Sequence, residues 1–154
     1  MGRRRGGGRA DDRSGGPGSP GRTGGDADRS DRICAGCGRA FAWRPSLAAA
    51  WSEVRWCSDA CRRRGVRAVD RALEAAITEL LDARVARAAD ATICPSEAAQ
   101  HVDADGWREL MEPARRAARR MVAAGTLEIV QGGRVVDPSR ARGPIRLRRP
   151  RSVG

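Results

Sequence analysis

Four cysteines are spaced to hold one metal ion. Cys34 and Cys37 form a C-x2-C pair, and Cys57 and Cys61 form a C-x3-C pair after nineteen intervening residues. Thiolates suit a soft, tetrahedral Zn2+, and four of them close its coordination shell. The expected role of such an ion is structural, with no position left for water or substrate. An iron–sulfur cluster uses the same ligands and is the main rival. A thiol redox pair is the weaker alternative, because no thioredoxin-type context surrounds either pair. Four thiolates on Zn2+ leave the site at about −2, which neighbouring arginines would offset. The fifth cysteine, Cys94, reads as a small buried hydrophobe rather than a reactive thiol.

Particular elements must bring the two pairs together. A C-x2-C turn can direct two sulfurs at one ion. Val54-Arg55-Trp56 reads as a strand, and Ser58-Asp59-Ala60-Cys61-Arg62-Arg63-Arg64 as the start of a helix. A knuckle, a hairpin and a helix carrying the last ligands amount to a treble-clef-like zinc module over 33–64. Phe41, Trp43, Trp51 and Trp56, four of the chain's five aromatic residues, fall inside it. These rings could stack on bases beside Arg39, Arg44 and Arg55. A module this small also needs them for its own core, and packing is the preferred reading.

Gly65 is a natural break before a helical pattern over 66–89. Val66, Val69, Leu73, Ala76, Ile77, Leu80 and Leu81 recur at three- and four-residue steps. Ser96 is placed to cap a short helix over about 97–102. Asp103-Ala104-Asp105-Gly106 reads as a turn. A third helix follows over about 107–124, with Trp107 anchoring it in the core. Pro113 is awkward inside a helix and welcome at its start, so a short turn at 106–111 followed by a helix from near Pro113 is the alternative. Gly125 ends the helix. The period then changes to two: 126–130 and 134–136 flank Gln131-Gly132-Gly133, a hairpin signal. Helix, short helix, helix and hairpin describe a winged helix-turn-helix over 66–148. The fold class expected is mainly α with a small β-hairpin wing, preceded by the zinc module.

Charge is uneven along the chain. The 154 residues carry 30 Lys+Arg against 19 Asp+Glu, a net charge of +11, and every basic residue is arginine. Lysine, asparagine and tyrosine are absent, which suggests a high-GC coding bias and weakens the argument from charge alone. Residues 1–32 are Gly- and Arg-rich and read as a disordered tail. Residues 33–67 are net +5, 68–137 net −3 and 138–154 net +6, with 149–154 read as a basic C-terminal tail. No run of about 18 apolar residues is present, so no membrane span is expected. Nothing at the N-terminus resembles a secretory signal, and the cytoplasm is the expected compartment.

Two stretches carry a resemblance. Cys34-Ala35-Gly36-Cys37-Gly38-Arg39, Phe41, Trp43-Arg44, Trp51, Glu53-Val54-Arg55, Cys57-Ser58 and Cys61-Arg62 resemble a bacterial domain-of-unknown-function family, number twenty-two fifty-six. Cys94-Pro95-Ser96-Glu97-Ala98-Ala99, Trp107-Arg108, Leu110-Met111, Arg115, Ala117-Ala118, Gly125 and the stretch from Gly143 to Arg148 resemble a second, number thirty-two fifty-three. Together they span about 33–148. Trp56 stands where the first family usually has Tyr, and Ala50 where it often has a further Cys. That second departure fits Cys34, Cys37, Cys57 and Cys61 as the metal set. The resemblance implies a fold and a metal, and no activity.

Three functions compete. In a winged helix the third helix enters the major groove and the wing touches the backbone. On that reading Arg108, Arg115, Arg116 and Arg119 face nucleic acid, DNA or RNA, Arg134 sits on the wing, and Arg146 and Arg148 grip phosphates. The second function is a protein-interaction adaptor with a purely structural zinc. The third, an enzyme, is not expected: the sole histidine is His101, and no nucleophile–base set or Gly-rich phosphate loop accompanies it. No small-molecule substrate is evident either.

Overall fold

The computed structural model describes residues 29–152. The tail expected over 1–32 lies almost wholly outside the described residues.

The cysteine-bearing part begins with a short antiparallel hairpin. β1 (Arg32–Ile33) pairs with β2 (Ala40–Phe41), Arg32 opposite Phe41. Between them the C-x2-C knuckle turns tightly, with Cys34 donating to the Arg39 carbonyl and Gly38 to that of Cys34. A 3-10 segment, Pro45–Glu53, follows and buries Trp51 edge-on against Phe41, ring centroids 5.5 Å apart. The rings of Phe41 and Trp51 therefore serve as core. The strand expected at 54–56 is absent; the Arg55 carbonyl makes a single cross-link, to the Ala35 N–H. Helix α1 (Asp59–Arg64) starts where expected, and the Ser58 hydroxyl caps it by accepting from the Cys61 N–H at 3.1 Å.

The second part is built on three helices and one sheet. α2 (Ala68–Val85) buries Leu73, Ala76, Ile77 and Leu81 on one stripe, as its period requires. β3 (Thr92–Ile93) leads into α3 (Pro95–Val102). Ser96 is not the cap of α3. Cys94 occupies that position, and Glu97 accepts from its N–H at 2.6 Å. Pro95 fits the first helical position, where no N–H is needed.

A 3-10 turn, Trp107–Leu110, then runs into α4 (Met111–Ala123). Pro113 thus falls in the first turn of α4, and the helix escapes a kink. Thr126 donates to the Met121 carbonyl and Gly125 to that of Val122, a Schellman stop that uses the positive φ of Gly125.

β4 (Glu128–Gln131) and β5 (Arg134–Val135) form the expected hairpin, with Gly132 and Gly133 both at positive φ. One further strand, β6 (Arg146–Arg148), pairs with both β3 and β4, giving an antiparallel sheet in the order β3-β6-β4-β5. Leu147, at its centre, faces Ile93 on one side and Ile129 on the other, all fully buried. Among the described residues the architecture is mixed: helices with two small antiparallel sheets. No helix among the described residues is long and apolar enough to cross a membrane.

Candidate metal centre

The knuckle supplies Cys34 and Cys37, the residue before α1 supplies Cys57, and the first turn of α1 supplies Cys61. All four Sγ atoms lie within 4.8 Å of one another. Cys57 Sγ is 3.8 Å from Cys37 Sγ and 3.5 Å from Cys61 Sγ. Metal–sulfur bonds of about 2.3 Å give a tetrahedron with edges of about 3.8 Å, so these sulfurs fit around one ion. They are too far apart for disulfides, which need about 2.05 Å.

The thiols are not equivalent. Burial pushes Cys34 up, yet the backbone amides of Cys37, Cys57 and Gly36 outweigh it and hold that thiol down to about 6. The Cys57 N–H reaches Cys34 Sγ at 3.3 Å. Burial and the neighbouring Cys61 thiol push Cys57 up to about 12. Burial also raises Cys37. Four crowded thiols cannot all ionise unaided, and a cation bound among them would supply the compensation.

Helix α4 closes the site from outside. Arg116 Nη2 lies 3.7 Å from Cys61 Sγ. Arg119, only 5% exposed, donates from Nε to the Cys37 carbonyl at 2.6 Å. Arg120 Nη1 donates to the Gly36 carbonyl at 2.8 Å. Their other nitrogens are steadied by acids: Glu112 holds Arg119 and Glu74 holds Arg120. Gly38 permits the approach. A Cβ there would stand 2.4 Å from Arg119 Cβ and 2.6 Å from backbone atoms of Arg119 and Arg120. Arg116 Nε and Arg120 Nη2 are buried without a hydrogen-bond partner among the described residues. Buried guanidinium atoms left over beside a thiolate cluster fit an anionic metal centre.

This geometry corrects the expectation for α4. Arg116 and Arg119 do not face outward; they are spent on the knuckle. The helical pattern is the same whether such a face meets water or a polar partner, so the sequence period alone did not separate the two. The remaining predicted residues scatter. Arg108 is exposed and stacks on Trp107 at 4.6 Å, and Arg134 is exposed beside the hairpin turn. Arg115 donates to the Gly143 carbonyl, Arg146 to Thr92, and Arg148 pairs with Glu128 at 2.8 Å. Arg149, assigned to the tail, is tied to Asp82 and the Thr126 carbonyl. His101 lies at the surface beside Glu79 at 3.2 Å. Cys94 is part-buried and accepts a hydrogen bond from Ser96, a capping role rather than a core one.

The family models fall on either side of this seam. The model described as Protein of unknown function (DUF3253) matches residues 70–150. The chain belongs to the DUF3253 family. A second model, Uncharacterized protein conserved in bacteria (DUF2256), matches residues 26–64 and contains all four cysteines. No curated protein matches the chain. The DUF2256 match ends at Arg64 and the DUF3253 match begins at Asp70, and those two residues form a bidentate ion pair at 2.9 and 3.0 Å. Asp70 is fully buried and also accepts from the Arg67 N–H at 2.7 Å. Burial alone would raise its pKa, but the Arg64 and Arg67 hydrogen bonds prevail and hold the carboxyl below its ordinary value. The two matched segments are thus joined at Arg64–Asp70 and again where α4 meets the knuckle.

Proposed function

We propose that Cys34, Cys37, Cys57 and Cys61 hold a structural Zn2+, and that the protein is a cytoplasmic nucleic-acid-binding protein rather than an enzyme. The tight sulfur spacing favours one ion over an iron–sulfur cluster, whose ligands bind separate irons and stand further apart. The order of helices, hairpin and antiparallel sheet supports reading the DUF3253 domain as winged-helix-like.

The observation that carries the nucleic-acid reading is a group of arginines gathered at the loop between β5 and β6. The Ala40 N–H donates to Ser139 Oγ at 2.8 Å, which brings the knuckle hairpin to that loop. Gln131 donates to the Arg142 and Pro144 carbonyls, which brings the wing there too. Arg115 reaches the same loop at Gly143. Arg39, Arg134 and Arg142 are exposed, with no side-chain partner among the described residues, and Arg140 is 89% exposed. This surface, not α4, is the one we assign to phosphates. A protein-interaction adaptor is the second reading, favoured by the coverage of α4.

The test is a salt titration of the zinc-loaded full chain against duplex DNA and against structured RNA. The triple variant Arg39→Ala, Arg140→Ala, Arg142→Ala is compared with Arg87→Ala. Each phosphate contact contributes about 0.9 to the slope of log K on log salt for duplex DNA, so the triple variant is expected to lose about 2 to 3. A slope unchanged from wild type removes this surface. Absence of binding to either nucleic acid removes the reading and leaves the adaptor.

A further inference from the structure

The metal site is not confined to the segment that carries its cysteines. A tetrathiolate centre is anionic, and its stability depends on what donates hydrogen bonds to the sulfurs and what fixes the ligand backbone. Here α4 adds to both, beside the backbone N–H of Cys57 that reaches Cys34 Sγ. Arg116 donates toward Cys61 Sγ, fifty-five residues away, at 3.7 Å. Arg119 and Arg120 hold the carbonyls of Cys37 and Gly36, the two residues that set the knuckle's turn. Arg116 Nε and Arg120 Nη2 remain buried and unpartnered among the described residues. A guanidinium left in that state is costly unless a negative charge lies beside it. The tetrathiolate supplies about −2 when a divalent ion is bound.

We infer that helix α4 is the outer wall of the metal site, so that metal binding and docking of the DUF2256 segment onto the DUF3253 domain are one linked equilibrium. Arg116 acts on the ion through Cys61, and Arg119 and Arg120 act through the knuckle backbone; all three are positioning residues. The metal then controls whether the basic side of α4 is covered. The inference rests on the metal reading above.

The experiment uses Co2+ as the probe on the full chain. Cobalt affinity is measured by competition with a chelator, and the sulfur-to-metal charge-transfer band is recorded for wild type, Arg116→Ala and Arg116→Lys. Loss of an outer hydrogen bond to a metal ligand commonly weakens affinity by 10–100-fold, and about tenfold is expected for Arg116→Ala. The band is expected to move as Cys61 becomes the better electron donor, with Arg116→Lys intermediate in both measures. Arg116 is only part-buried, so its alanine variant should fold. Wild-type urea unfolding with and without metal serves as an independent check: the DUF3253 domain should gain stability on metal addition, and Arg119→Ala should reduce that gain. An unmoved band, or an affinity within threefold of wild type, overturns the role of Arg116. A metal-independent unfolding midpoint for the domain overturns the linkage. A wild-type chain that takes up no Co2+ removes the metal reading itself, and this inference with it.

Discussion

Gly38→Ala tests the docked arrangement most directly. Gly38 has φ +71, and a Cβ there would lie 2.4 Å from Arg119 Cβ, 2.6 Å from the Arg119 carbonyl carbon and 2.6 Å from the Arg120 nitrogen. None of these atoms is the far end of a flexible chain, so rotation of a side chain cannot relieve the overlap. The left-handed backbone costs an L-residue about 1–2 kcal/mol. Moving the knuckle off α4 forfeits the hydrogen bonds of Arg119 and Arg120, at about 1.5–3 kcal/mol each for charged donors. Undocking caps the total, so a loss of about 3–5 kcal/mol is expected. The assay is equilibrium urea unfolding followed by tryptophan fluorescence. With a slope near 2 kcal/mol/M, the midpoint should fall by about 2 M. Gly125→Ala is the control: its φ is +77, but a Cβ there meets nothing within 4 Å. It should show the backbone cost alone, about 1–2 kcal/mol. Equal losses in the two variants would refute the claim that α4 and the knuckle are in contact at Gly38.

Three further outcomes are expected. Cys37→Ser should abolish tight metal binding, read as loss of the cobalt charge-transfer band; a retained band of full intensity would mean that another ligand completes the site. Asp70 has a depressed folded pKa, so its contribution is present above the unfolded carboxylate value of about 3.9 and is lost as pH falls below it. The stability difference between wild type and Asp70→Asn should therefore be constant near neutrality and shrink below about pH 4; a difference that does not depend on pH would contradict the pairing with Arg64. Leu147→Ala, at the fully buried centre of the sheet, should cost about 2–5 kcal/mol, and a loss under about 1 kcal/mol would show that β6 is not a central strand.

Local signals made much of the fold legible. The C-x2-C and C-x3-C spacings named the four clustered cysteines. The apolar stripe of α2, the stop at Gly125 and the Gly132-Gly133 turn each follow from steric rules that act within a few residues. Pro113 marked the start of α4, because proline fits only the first turn. The misses involve choices between near-equivalent local solutions. Ser96 was a good cap by type, but Glu97 reached the Cys94 N–H first. Residues 54–56 had strand character without a neighbouring strand to pair with. Arg146-Leu147-Arg148 reads as a basic strand, but its place does not: it shows one inward residue between two arginines, and only its partners β3 and β4 make it the middle of the sheet.

The arginines of α4 pose the deeper difficulty. An amphipathic helix declares which side is apolar, and Ala114, Ala117, Ala118 and Met121 did so. It does not declare what its polar side touches. Two features within the knuckle bear on that question. Gly36 and Gly38 flank Cys37, and glycine there leaves backbone carbonyls open to an approaching donor. Arg116, Arg119 and Arg120 stand at three- and four-residue steps, so one helix face presents three guanidiniums together. Arginine is the side chain best suited to a buried polar seam, since its charge persists and its donors fork. In a chain without lysine, every positive charge has that capacity. The net charge of +11 therefore overstates the charge available to an outside partner. Among the described residues Arg39, Arg134 and Arg142 keep exposed guanidiniums without a side-chain partner, and so do Arg44, Arg55, Arg63 and Arg87; what sets the first three apart is that they gather at one loop, beside Arg140 and its ion pair with Asp137.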